Sequence, residues 1–212
     1  MAPHDKADPA GLRLPRPYCM NASWVNARNC KAGRVMRDIV YYVAASIDGF
    51  IAGPQGDISG FISQGTGVQK YLDDLLSFDT VIMGRKTYEF GYRFGLRPGQ
   101  APYPHMRHYI FSTTLRFDKP DSPLLVCRPD VEVIKELKAA EGTAIYLCGG
   151  GEFAGWLLEH GQIDVLKVKL NPFIQGEGVR LFGSTEKTVK TQLIDTTLFE
   201  EGLQIMTYRM KY

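Results

Sequence analysis

Three short segments combine residue types that bind anions: Gly84-Arg85-Lys86-Thr87, Ser112-Thr113-Thr114 and Cys148-Gly149-Gly150-Gly151. Each follows an apolar run that reads as a strand, and each precedes or adjoins the start of a helical stretch. Glycine at such a turn lets backbone N–H groups approach a phosphate closely, and the free amides and dipole of a helix start favour negative charge. A glycine triplet alone is equally the pattern of a tight corner. Two companion turns at adjacent strand ends shift the reading towards a nucleotide. Arg85 and Lys86 offer cations, and Ser112 and Thr113 offer short donors, which together are what a ribose 2′-phosphate requires.

No G-x-G-x-x-G follows the first strand, and no G-x-x-x-x-G-K-[ST] loop occurs, so kinase-like phosphate transfer is disfavoured and a different fold is expected to hold the nucleotide. The best polar group for proton chemistry is Asp57, in Gly56-Asp57 close to Pro54. That same pattern suits a surface turn or a helix N-cap. Tyr103, His105 and His108 lie on or after a proline-rich loop and receive no catalytic role, because a lone histidine is more often structural or exposed.

The four cysteines, Cys19, Cys30, Cys127 and Cys148, show no C-x-x-C pair and no histidine at zinc-finger spacing, so no metal is expected. Cys127 and Cys148 each close an apolar run, as small buried hydrophobes do in a reducing compartment. Cys19 and Cys30 could pair. Residues 1–35 carry six basic residues against two acidic ones, a local +4, which leaves the remainder at −2 of the overall +2. A near-neutral body with no basic stripe argues against nucleic acid as the ligand. No apolar run approaches the roughly 18 residues of a membrane span, and no secretory signal pattern opens the chain, so a cytoplasmic protein without membrane association is expected.

With 212 residues, 44% of them hydrophobic, the chain has enough material for one core. An extension over 1–35 without periodicity is expected to precede a single domain over 36–212. Within that domain, strands are predicted at Asp38–Ala45, Thr80–Met83, His108–Ser112, Leu124–Cys127, Ala144–Leu147 and Val165–Leu170. Helices are predicted at Val68–Leu76, Thr87–Tyr92, Val131–Ala140 and Glu152–Glu159. Thr188–Thr196 and Gln204–Met210 read as a closing antiparallel pair. This order implies an α/β fold with a mainly parallel central sheet, helices on both faces and an antiparallel C-terminal edge. Ligands of such sheets bind beyond the carboxyl ends of the strands, where the three anion-binding turns fall.

The segments Val43-Ala44-Ala45-Ser46-Ile47-Asp48-Gly49-Phe50-Ile51-Ala52, Gly56-Asp57-Ile58-Ser59, Met83-Gly84-Arg85-Lys86-Thr87-Tyr88, Ser112 and Cys148-Gly149-Gly150-Gly151-Glu152 resemble the dihydrofolate reductase-like superfamily. They are most similar to the C-terminal reductase domain of bacterial bifunctional riboflavin-biosynthesis deaminase-reductases and its stand-alone relatives, from about Met36 to Tyr212. The resemblance implies an NADPH-dependent reductase of a small heterocyclic or carbonyl substrate, with 5-amino-6-(5-phosphoribosylamino)uracil as one choice, working as a homodimer. It implies that Ala45 and Ile51 border the nicotinamide and that Asp48-Gly49-Phe50 closes over it. Gly84, Arg85, Lys86 and Thr87, joined by Ser112 and Thr113, would meet the adenosine phosphates, while Gly149, Gly150, Gly151 and Glu152 hold the pyrophosphate. Asp57 matches the acidic residue that binds the substrate ring in the folate enzymes. Asn171-Pro172 and Gly176-Glu177-Gly178 resemble the late loop bordering the substrate or the dimer edge.

Two departures stand out against the family pattern. Gly60 replaces a common tryptophan, which opens or reshapes the pocket, and Thr113 replaces a common arginine, which shifts the 2′-phosphate onto Arg85 and Lys86. The zinc-deaminase ligands of the bifunctional enzymes are absent from the sequence, so a pathway role would be reduction only. The competing reading is a non-catalytic nucleotide-binding homodimer that retains the cofactor groove.

Overall fold

The computed structural model describes residues 36–212. Its strands are β1 (Ile39–Ser46), β2 (Phe50–Ala52), β3 (Thr80–Gly84), β4 (Arg107–Phe111), β5 (Leu124–Cys127), β6 (Ile145–Gly149), β7 (Val165–Asn171), β8 (Val179–Arg180), β9 (Lys190–Leu198) and β10 (Gln204–Lys211). The helices are α1 (Thr66–Leu75), α2 (Arg85–Phe90), α3 (Val131–Ala139) and α4 (Gly151–Glu159).

Eight strands form one sheet in the order β5-β4-β3-β6-β1-β7-β10-β9. The pairs from β5 to β7 are parallel, and β10 runs antiparallel to both β7 and β9. Central parallel strands are covered on both faces, which is why β1, β3 and β6 are almost continuously apolar and buried. On one face Ile39, Tyr41, Ile82 and Leu147 pack against Ile134 and Leu137 of α3 and Phe153 and Leu157 of α4. On the other, Tyr42, Val81, Met83 and Tyr146 pack against Leu75 of α1 and Tyr88 of α2. Each such aliphatic side chain contributes roughly 1.5–3 kcal/mol on burial.

The expected architecture is therefore present, with differences at element ends. Helix α2 starts at Arg85 rather than Thr87, and α4 starts at Gly151, so the anion-binding residues occupy first helical turns instead of loops. One feature was not expected: β2 and β8 pair antiparallel as a separate two-stranded ribbon. Two or three residues are too few for a strand period, and the partners lie far apart in sequence.

At the amino ends of the strands, Arg37 is buried and donates to Asp79, to Thr80 Oγ1 at 3.0 Å and to the Thr143 carbonyl. Asp164 accepts from Lys138 Nζ and from the Ile39 amide at 2.8 Å. No helix among the described residues is long and apolar enough to cross a membrane, and no group of metal-ligating side chains occurs among them. Cys148 is a free thiol, while the Cys19–Cys30 pairing lies outside the described residues.

Candidate functional site

The register of the sheet brings the carboxyl ends of five strands into one row. Phe111, which precedes Ser112, lies opposite Gly84; Met83 lies opposite Gly149; and Ala45 and Ser46 lie opposite Leu170 and Asn171, with β1 between β6 and β7. Ser112, Gly84, Gly149, Ala45 and Asn171 thus follow one another across the sheet.

Two helices start on this row without a side-chain cap, α2 with Gly84 and α4 with Gly150 in the N-cap position. The contrast is α3, where Asp130 accepts from the Glu132 amide at 2.9 Å. An uncapped first turn leaves donors that need an acceptor, and here two such turns adjoin. A Cβ on Gly150 would sit 2.9 Å from Thr87 Oγ1, and one on Gly149 would have only Thr87 Oγ1 and Tyr41 Cε2 nearby, both at 3.9 Å. The space beside Gly149 is therefore open and the glycines keep it so. Gly149 has φ +129°, a value that favours glycine, and the Gly149–Gly150 peptide bond is cis.

Gly151 serves a different purpose. A Cβ there would lie 2.1 Å from the Arg180 carbonyl oxygen, so this glycine lets α4 pack against the end of β8 and the turn that follows it. Glu152 supports the same contact: its carboxylate accepts from Ser184 Oγ at 3.1 Å. Arg85 is half-exposed and bridges to Glu89 at 2.8 Å, one turn along α2, while Lys86 is exposed. Ser112 Oγ accepts from the amides of Thr114 at 3.1 Å and Leu115 at 2.9 Å, and Thr113 is exposed beside it.

Beyond β1, the loop is fastened by its own acidic residue. Asp48 accepts from Ser46 Oγ at 2.6 Å and from the amides of Gln175 and Gly176 at 3.0 and 2.7 Å, and these bonds hold its carboxyl down at about 2. Ser46 Oγ also accepts from the Phe50 amide at 3.0 Å. The Asp48-Gly49-Phe50 segment is thereby pinned to the loop after Asn171. Ala45 is buried and Ile51 half-buried on either side of it.

Asn171, fully buried, ties three segments together: its Oδ1 accepts from the Ile62 amide at 3.0 Å, and its Nδ2 donates to the carbonyls of Lys169 at 2.9 Å and Ala45 at 3.4 Å. Asp57 sits elsewhere, on an exposed turn, accepting from Ser59 through its amide at 3.0 Å and its hydroxyl at 3.1 Å. The Ser59 amide and hydroxyl, with Arg93 nearby, lower its pKa. At Gly60, the space a side chain would take is filled by the Phe173 ring, 2.9 Å from an added Cβ. His108 is buried, accepts from the Tyr103 amide at 3.1 Å and leaves Nδ1 without a partner among the described residues; burial pushes it down to about 4. Its place in β4 agrees with a structural role. Sequence reasoning missed Lys169, a lysine with 7% exposure beside Ala44 in the sheet register.

A family model, the RibD C-terminal domain, matches residues 37–205. Among curated proteins, the uncharacterised YwjB of Bacillus subtilis (strain 168) is 28% identical over 170 residues, which cover 80% of this chain and 96% of YwjB. Among solved structures, a Shewanella sp. PV-4 protein provisionally assigned to riboflavin biosynthesis superposes with a TM-score of 0.68 at 24% identity, covering 84% of this chain and all of that one, 100%. The diaminohydroxyphosphoribosylaminopyrimidine deaminase/5-amino-6-(5-phosphoribosylamino)uracil reductase of Thermotoga maritima gives 0.62 at 16% identity, over 83% of this chain and 57% of its own. The dihydrofolate reductase of Enterococcus faecalis, solved with NADP(H), gives 0.59 at 17% identity, over 82% of this chain and 97% of its own. These superpositions establish a dihydrofolate reductase-like α/β fold.

Proposed function

The chain belongs to the RibD C-terminal domain family, and from that membership and the site geometry we propose that it is an NADPH-dependent oxidoreductase acting on a small heterocyclic or carbonyl substrate. One observation carries the reading: two glycine-started helices without side-chain caps meet at neighbouring strand ends, with an open space beside Gly149 that a Cβ would narrow. That arrangement suits a pyrophosphate. NADPH bound there supplies a hydride.

The chain's own residues then have distinct tasks. The first-turn amides after Gly84 and Gly150 bind phosphate oxygens, and Thr87 adds a hydroxyl. Arg85 exchanges its bond with Glu89 for the 2′-phosphate, assisted by Lys86, Ser112 and Thr113. Ala45 and Ile51 flank the nicotinamide, and the Asp48 carboxylate holds the covering loop in place. Glu152 acts on α4 packing rather than on phosphate, since a carboxylate beside a pyrophosphate would repel it. Asp57 keeps its turn in shape and orders water, because a carboxyl with a lowered pKa carries no proton at neutral pH.

Residues 36–212 make up the reductase domain in this proposal, with 1–35 as an extension, and the protein works in the cytoplasm. It acts as a homodimer. All nine residues of β9 are exposed at the sheet edge, including Leu193, Ile194 and Leu198, and an uncovered edge of this length calls for a partner. The substrate proposed is a pyrimidine of the phosphoribosylamino-uracil type. Purified protein is expected to consume NADPH absorbance with that compound, and to sediment as a dimer. NADPH binding without turnover on a panel of pyrimidines and dihydrofolate would favour the non-catalytic alternative.

A further inference from the structure

Strand β9 is exposed along its whole length and on both faces, whereas β10, the one strand it pairs with, is buried or half-buried up to its last residue. The outer row of N–H and C=O groups of β9 and its apolar side chains Leu193, Ile194 and Leu198 therefore have no cover among the described residues. Its charges are sorted by end. Lys190 opens the strand, Asp195 lies past its middle, and Glu200 and Glu201 occupy the turn that follows. None of these four takes part in an ion pair among the described residues.

A parallel neighbour of the same sequence would set lysine on lysine and carboxylate on carboxylate. An antiparallel one sets the basic end of each strand on the acidic end of the other. A bulge adds a second constraint: Thr207 faces Asp195 and Tyr208 faces Leu193, so Ile194 is left without an opposite residue in β10 and the strand bends there. A bent edge fits a partner with the same bend, which a second copy related by a two-fold axis has. Such an axis sets one residue opposite its own copy. Leu193 or Ile194 in that place brings apolar side chains together, while Asp195 would oppose two carboxylates. The acidic turn also borders a cavity of about 350 Å³, formed with residues 61–67 and Leu203, whose lining includes Glu200 and Glu201 but no cation. The wall of this cavity reaches the carboxyl row of the sheet, because Ile62 bonds to Asn171 through its amide and to Lys169 through its carbonyl.

We propose that β9 pairs antiparallel with β9 of a second copy, with Leu193 and Ile194 at the two-fold axis, and that Lys190 of each copy meets the Glu200 and Glu201 turn of the other and completes the rim of this cavity. The proposal rests on the homodimer reading and assigns that dimer its face, its direction and the residues each copy lends the other.

Sedimentation equilibrium of the full chain tests it on wild-type protein, on Leu193→Arg with Ile194→Arg, on Lys190→Glu, and on Lys190→Glu combined with Glu200→Lys and Glu201→Lys. All five positions are exposed, so each variant should fold, which circular dichroism checks. The two arginines at the axis should weaken the dimer at least about 100-fold, and Lys190→Glu roughly 10-fold. Reversing the acidic turn as well should recover most of the loss from Lys190→Glu. Hydrogen exchange at the β9 amides that face away from β10 should be slow in wild-type protein and fast in the arginine variant. The amide NMR signals of Gly65 and Gly67, in the cavity wall, should shift when the wild-type dimer is diluted to monomer.

A wild-type chain that stays monomeric at high micromolar concentration would overturn the homodimer reading and the pairing together. A dimer untouched by the two arginines would leave the homodimer standing on another face and overturn the pairing alone. A charge-reversed variant no tighter than Lys190→Glu would overturn the match of basic to acidic ends, and motionless Gly65 and Gly67 signals would remove the second copy from the cavity.

Discussion

The two ends of the central sheet treat their polar groups in opposite ways. At the amino ends, Arg37, Asp79, Thr80, Thr143, Lys138 and Asp164 bond to one another across strands and loops. At the carboxyl ends, α2 and α4 begin on glycines without side-chain caps, Arg85 and Lys86 stand partly in solvent, and Lys169 meets no carboxylate among the described residues. One end closes its polar groups internally and so stabilises the fold. The other fastens Asp48, Asn171 and Ser112 internally but keeps the first-turn donors and the cations of α2 available, and pays for it with a conformation that favours glycine, as at Gly149.

The sharpest way to break this division is at the amino end. Asp79→Ala leaves the buried Arg37 guanidinium without its carboxylate, which should cost about 2–4 kcal/mol of stability by denaturant unfolding. NADPH affinity measured at a temperature where the variant stays folded should not change. A large loss of NADPH affinity in the folded variant would mean that the two ends are not separable.

A second test uses acid. His108 in the folded chain titrates at about 4, below the 6.5 expected unfolded, so the unfolded state binds the proton more readily. Its contribution is complete above pH 6.5 and is lost as the pH falls towards 4, by an amount on the order of 3 kcal/mol. Thermal unfolding across that window should show the loss, and His108→Phe should flatten it. An unchanged profile in the variant would remove His108 as the cause. The smallest effect is expected from Asp57→Asn, which keeps an acceptor for Ser59 and should alter turnover less than about threefold, or roughly 0.7 kcal/mol. A hundredfold loss would restore Asp57 as the substrate's acid.

Much of this division could be read in the sequence, because apolar runs ending in glycine mark strands that deliver their ends to a ligand. Gly84 and Gly149 end neighbouring strands, as the apolar runs before them predict, while Gly151 packs on Arg180 and Glu152 accepts from Ser184, contacts that only the fold reveals. Lys169 escaped notice because Val165-Leu166-Lys167-Val168-Lys169-Leu170 alternates as a half-exposed strand does. The signal was the position: a strand placed between β1 and β10 is covered by α1, so its lysines need partners. The β2–β8 ribbon and the Asp48 clamp depend on contacts between residues far apart in sequence, to which local patterning is blind.

The central claim is that the glycine-started helices form an NADPH site, and a fluorescence titration of wild-type protein and Arg85→Ala with NADPH and NADH tests it most directly. Wild-type protein should bind NADPH in the micromolar range, and Arg85→Ala should weaken NADPH by on the order of 1–3 kcal/mol while leaving NADH nearly unchanged. Failure of both nucleotides to bind the wild-type protein below millimolar concentration would contradict the account.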